Sequence, residues 1–146
     1  RMLSRMIAPL TILEIGTFTG YSALCLAEGL QRNGKLFTIE VSEESAIIAA
    51  QFFRKAGLED KIELLVGDAL SLLPELNERF DLVFIDGHKN HYIDYYNMII
   101  DKVNPGGYIL ADNVLWGGKI IKTGAVDSTT ETIRRFNRYV TEDKRV

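Results

Sequence analysis

Five short apolar runs, TILEI (11–15), KLFTI (35–39), KIELLV (61–66), FDLVFI (80–85) and GYILA (107–111), recur along the chain with helix-like segments between them. Each is too short for a helix and too apolar for a loop, as expected of strands buried on both faces. Residues 21–30 close at Asn33 and Gly34. Residues 43–56 follow Ser42 as N-cap, carry Glu43 and Glu44 in the first turn and end at Gly57. A shorter segment, 70–76, contains Pro74, and a helix from Tyr92 to about Asp101 precedes the turn NPGG at 104–107. The last helix opens with Ser128 and Glu131 at capping-box spacing and aligns Ile133, Phe136 and Val140 on one face. Arg134, Arg135 and Arg138 then form a solvated face, and Ile47, Ala50 and Phe53 form the core stripe of the second long helix. Strands alternating with helices pair in parallel through right-handed crossovers, which predicts a doubly wound α/β sheet of order 3-2-1-4-5.

A chain of 146 residues, 47% hydrophobic, closes one core, so residues 1–146 read as a single domain. The net charge of −3 provides no basic stripe for a phosphate backbone and disfavours a nucleic-acid partner. Cys25 is the only cysteine, which excludes an internal disulfide and fits a reducing, cytoplasmic setting. No apolar run reaches the roughly 18 residues of a membrane span, and no signal pattern opens the chain. A start at Arg1 and a stop at KRV directly after a helix suggest a piece of a longer protein, truncated at both ends.

Ligands of open parallel sheets bind beyond the carboxyl ends of the strands. There the sequence places Glu14, Glu40, Asp68, Asp86 and Asp112, one acid per strand. An edge so negative favours a cationic ligand and repels pyrophosphate. The turn EIGTFTG follows the first strand as a dinucleotide site would. The fingerprint G-x-G-x-x-G fails, however, because its second and third glycines fall on Phe18 and Tyr21, which argues against a nicotinamide dehydrogenase. Gly16 allows a close backbone approach and Gly20 stands at the helix entrance. Glu40 is placed to accept two ribose hydroxyls, with Asp68 and Ala69 at the adenine edge. A positively charged adenosyl compound without phosphates fits, namely S-adenosylmethionine.

The stretch LEIGTFTGYS resembles the first motif of class I S-adenosylmethionine-dependent methyltransferases, and DLVFIDGHKNHY with ILADNVLWGG resembles the cation-dependent O-methyltransferases of the caffeoyl-CoA and catechol type. The resemblance spans nearly the whole chain. It implies a Rossmann-like methyltransferase sheet, here lacking the family's final strands. It implies cofactor contacts from Glu14, Gly16, Thr17, Gly20, Ser22, Glu40, Asp68, Ala69 and Asp86, metal ligation by Asp86, Asp112 and Asn113, and a catalytic pair of Lys89 as base with Asp86. It further implies a homodimer in the full-length protein.

Two aspartates and an amide offer hard oxygen donors, suited to Mg²⁺, Mn²⁺ or Ca²⁺ rather than Zn²⁺. A zinc reading of Asp86, His88 and His91 lacks thiolate support. His88 is expected beside the substrate opening and Trp116 in the acceptor wall. The expected activity is methylation of a vicinal hydroxyl on a small, catechol-like aromatic. The alternatives are O-methylation of a hydroxyuridine in tRNA, or a fragment that binds cofactor without turnover.

Overall fold

In a computed structural model describing residues 1–146, five parallel strands form one sheet of order β3-β2-β1-β4-β5, as predicted. The strands are β1 (Thr11–Ile15), β2 (Lys35–Glu40), β3 (Ile62–Val66), β4 (Phe80–Ile85) and β5 (Val103–Ala111). The helices are α1 (Met2–Ile7), α2 (Tyr21–Ala27), α3 (Glu43–Lys55), α4 (Ala69–Leu72), α5 (Tyr92–Ile99) and α6 (Ser128–Glu142). None is long and apolar enough to cross a membrane.

Side-chain alternation sorts the core into two layers. Ile12, Leu36, Ile62 and Leu82 point to the face packed by Ala23 and Leu26 of α2 and by Ala49 and Phe53 of α3. Leu13, Ile15, Ile39, Val83 and Ile85 point to the other face, under Tyr92, Tyr96 and Ile99 of α5 and Ile133 and Phe136 of α6. Burial on both sides is why these strands read as continuous apolar runs.

Several local expectations change. The buried stripe of α3 is Ala46, Ala49 and Phe53, whereas Ile47 is 62% exposed. Small alanines let α3 lie close to the sheet, which turns the larger Ile47 outward. The cap of α6 is Asp127 rather than Ser128; its carboxylate accepts hydrogen bonds from the Thr130 amide and hydroxyl at 2.8 and 2.9 Å. Segment 70–76 divides into α4 and a 3₁₀ turn, Leu73–Glu75, where Pro74 removes a helical donor. Helix α5 likewise ends at Ile99 and tightens into a 3₁₀ turn, Ile100–Lys102. The NPGG turn is a bulge inside β5, lying between the pairings Phe80–Val103 and Leu82–Tyr108. It is held by Asn104, whose amide donates to Asp81 at 2.8 Å and whose carbonyl accepts from Arg79 at 3.1 Å.

Arg134 is not a free surface residue. Its guanidinium donates to the carbonyl of Ile120, at 2.9 Å, and to that of Lys122. Asn137 adds a bond to the Val114 carbonyl at 2.8 Å. Helix α6 thereby braces the irregular segment after β5, in which Asn113, Trp116, Gly117 and Gly118 all have positive φ. Arg135 and Arg138 are exposed, as expected.

A close approach between elements lies at the first turn. Gly16 has φ +101°, and a Cβ there would lie 2.5 Å from the carbonyl oxygen of Asp86. Gly16→Ala combines left-handed strain with this overlap. It is expected to destabilise the fold by about 1–3 kcal/mol, seen as a lower urea midpoint at unchanged slope. An unaltered midpoint would mean that β1 and β4 are not in this contact.

Candidate active site

A cavity of about 730 Å³ opens beyond the carboxyl ends of the strands, within the range of small-molecule sites. Nine predicted residues line it: Gly16, Thr17, Ser22, Glu40, Asp68, Ala69, Asp86, His88 and Asp112. Glu14, Gly20, Lys89, Asn113 and Trp116 do not. Phe18, Tyr21 and Val41 form an exposed apolar rim, and His91 and Tyr95 contribute from the start of α5. Sequence reasoning did not select these five. For Tyr95 the missing signal was position: it lies one turn beyond His91 and so faces the same opening.

Glu40 is fixed by the backbone around it. One carboxylate oxygen accepts from the Phe18 amide at 2.6 Å and the other from the Ser42 amide at 2.9 Å. Each oxygen keeps a lone pair for a further donor, as recognition of two ribose hydroxyls needs. Asp68 caps α4 and remains exposed, and Ala69 is buried behind it. The rim acids therefore differ in role. Glu40 orders the β1–α2 turn, while Asp68 orders the turn after β3.

Glu14 departs from the expected exposed strand end. It is fully buried beneath the cavity; Oε2 accepts from the Thr38 hydroxyl at 2.5 Å and Oε1 has no partner. The Thr38 hydroxyl in turn meets that of Thr17 at 2.5 Å, which connects Glu14 to the cavity wall. Burial raises the Glu14 carboxyl from 4.5 to about 7; the Ser22 and Thr38 hydroxyls oppose this and the charges of Asp86 and Glu40 add to it.

Asp86 and Asp112 end adjacent strands, brought side by side by the pairing of Ile85 with Ala111 and by the Asp112 amide donating to the Ile85 carbonyl at 3.0 Å. Asp86 Oδ1 accepts from Lys89 Nζ at 2.8 Å, and Asp112 Oδ1 accepts from the Asn113 amide at 2.7 Å. Each carboxylate retains its Oδ2. No trio of His, Cys, Asp and Glu side chains converges on one point, so the Asp86–His88–His91 zinc grouping does not assemble. His88 and His91 instead place their rings 5.4 Å apart in the cavity wall. Trp116 stands outside that wall, with a buried indole N–H lacking a partner and Lys119 over its ring at 5.9 Å.

The sheet is doubly wound, of parallel order 3-2-1-4-5, and its acid-lined cavity lies over the β1–β4 switch point, where open α/β sheets bind their ligands. The sequence profile described as O-methyltransferase matches residues 1–146, and the chain belongs to that S-adenosylmethionine-dependent family. It is 34% identical over 141 residues to a catechol O-methyltransferase of Niastella koreensis, covering 94% of this chain and 64% of that protein. It is 37% identical over 144 residues to caffeoyl-CoA O-methyltransferase 2 of Petunia hybrida, covering 94% and 57%. Among solved structures, an O-methyltransferase from Bacillus cereus in complex with SAH superposes with TM-score 0.92 at 35% identity, over 98% of this chain and 67% of that one. The O-methyltransferase TomG of Streptomyces achromogenes, involved in tomaymycin synthesis and in complex with SAM, gives TM-score 0.91 at 35% identity, over 98% and 66%. The chain thus spans between about half and two thirds of the length of the curated relatives it matches.

The raised Glu14 carboxyl makes a stability prediction. The folded chain binds this proton more tightly than the unfolded chain, so the contribution is greatest below pH 4.5 and declines as pH rises towards 7. Relative to Glu14→Gln, which has no such proton, the wild type should lose about 3 kcal/mol across that window and nothing further above it. Chemical denaturation of both proteins at pH 5, 6, 7 and 8 measures the difference. A constant gap would show that Glu14 titrates alike in both states.

Proposed function

We propose that this chain forms the cofactor and acceptor core of an O-methyltransferase that methylates one hydroxyl of a vicinal pair on a small aromatic, and that residues 1–146 act as one domain. The observation that carries the reading is the convergence of Glu40, Asp68, Asp86 and Asp112, from four different strands, on one cavity over the β1–β4 switch point. Relatives named for catechol and caffeoyl-CoA support the acceptor class.

The residues fit S-adenosylmethionine. Glu40 would offer lone pairs to the ribose hydroxyls, Gly16 brings bare backbone to the cavity wall, and Thr17 and Ser22 bring hydroxyls to it. Asp68 and Ala69 would border the base, the Gly20 amide closes the turn by donating to the Thr17 carbonyl at 3.0 Å, and buried Glu14 reaches the turn through Thr38 and Thr17. When bound, the cofactor supplies an electrophilic methyl group on a positively charged sulfur.

The donor set Asp86, Asp112 and Asn113 fits a hard divalent cation, Mg²⁺, Mn²⁺ or Ca²⁺, through carboxylate and amide oxygens. Such a cation would supply positive charge favouring the ionised acceptor hydroxyl. Lys89 Nζ lies 2.8 Å from Asp86 Oδ1; in its neutral form, with its own extra proton released to solvent, it is the base this reading assigns to the acceptor's proton. His88 stands exposed at the opening, where it can border the acceptor.

Two substitutions separate cofactor from acceptor. Glu40→Ala should weaken SAH binding at least about tenfold by calorimetry, because two hydroxyls lose a charged acceptor. Asp112→Ala should abolish the gain of one methyl on a catechol, followed by mass spectrometry, while SAH affinity stays near wild type. A natural full chain whose turnover resists chelators would remove the cation from the reading, and wild-type SAH affinity in Glu40→Ala would relocate the nucleoside.

A further inference from the structure

Lys89 does not line the cavity, and its side chain is only 14% exposed. Its amine is held between two partners. Asp86 accepts from one side at 2.8 Å, and the hydroxyl of Tyr92, three residues on, accepts from the other at 2.5 Å. The amine also rests 4.7 Å from the centroid of the Tyr92 ring.

Tyr92 is itself packed on all sides. It is wholly buried, and its ring meets Phe136 of α6 edge-on at 5.2 Å. Its hydroxyl oxygen lies 3.1 Å from the carbonyl of Ile85 and 3.2 Å from that of Asp112. A phenol donates one hydrogen and accepts others. With Lys89 donating to it, its own hydrogen is shared between these two carbonyls, at the ends of β4 and β5. One hydroxyl thus joins the amine, the last residue of β4 and the backbone of Asp112.

We infer that Tyr92 is the positioning residue of this site, fixing the Lys89 amine relative to the paired strand ends that carry Asp86 and Asp112. It lines no part of the cavity, so it acts only through its neighbours. A lysine amine on four rotatable bonds samples many positions, and anchoring from two sides selects one. Without the hydroxyl, Asp86 alone directs the amine, and the two carbonyls lose their shared donor. The inference rests on the assignment of Lys89 to methyl transfer.

The test is a double-mutant cycle in the natural full chain, with catechol as acceptor and saturating cofactor and Mg²⁺. Tyr92→Phe keeps the ring against Phe136 and removes only the hydroxyl. It should lower kcat about ten- to a hundredfold, with SAH affinity within about twofold of wild type by calorimetry. In the Lys89→Ala background the same change should cost nothing more, since the group it positions is gone. A purely structural role would instead multiply the two losses. Wild-type kcat in Tyr92→Phe, or multiplying losses, overturns the inference and leaves the role of Lys89 standing. Wild-type kcat in Lys89→Ala removes the assignment of Lys89, and the inference with it. Should Tyr92→Phe not fold, 3,5-difluorotyrosine incorporated in place of Tyr92 keeps ring and hydroxyl but weakens the oxygen as acceptor. The same lysine-dependent loss of kcat is then expected, and its absence overturns the inference.

Discussion

Strand β1 is paired on both edges and covered on both faces, and the remaining elements take their places from it. Ile12, Leu13, Glu14 and Ile15 are essentially without solvent contact, and β2 and β4 flank them in parallel. The chain leaves β1 towards β2 and later returns to its other edge with β4, so the crossovers diverge there and open a crevice. Gly16 permits the crevice to be narrow, since its backbone rests against the carbonyl of Asp86 where any side chain would collide. The same contact brings the first turn and the end of β4 to one cavity.

Around that crevice the acids do unequal work. Glu40 is spent partly on structure, receiving two backbone amides that fix the turn over the cavity. Glu14 lies beneath the floor, where burial favours its neutral form, and reaches the wall only through Thr38 and Thr17. Asp86 and Asp112 keep free oxygens at the ends of β4 and β5. A rim that looks uniform in sequence is therefore divided into two acids that order turns, Glu40 and Asp68, a buried acid and two acids with free oxygens.

The ends of β4 and β5 depend on a helix remote in sequence. Phe136, Asn137 and Arg134 of α6 hold, respectively, the ring of Tyr92 and the carbonyls of Val114 and Ile120. The segment from Asn113 to Gly118, with its left-handed residues, is turned locally by the Trp116 amide donating to the Asn113 carbonyl and the Gly118 amide to that of Leu115, and α6 braces it through these contacts. This explains why three arginines that read as one solvated face split into one tether and two exposed residues.

Strand order, crossover sense and the gathering of acids at one edge were legible in the residues, because apolar runs buried on both faces and parallel connections leave few arrangements. The failed dinucleotide fingerprint at Phe18 and Tyr21 narrowed the ligand for the same reason, as it is a local requirement for backbone approach. Side-chain partners across elements were not legible. The stripe of α3 shifted by one residue because packing distance, set by Ala46 and Ala49, outweighed the size of Ile47. Glu14 proved buried because β2 and β4 close over it, and Lys89 proved withdrawn from the cavity because Tyr92 holds it from behind. The sequence by itself determined the sheet and which acids reach its edge, since both follow from local pattern and chain direction. Only the tertiary structure decided which of those groups are free, buried or tethered, since that depends on contacts between residues far apart along the chain.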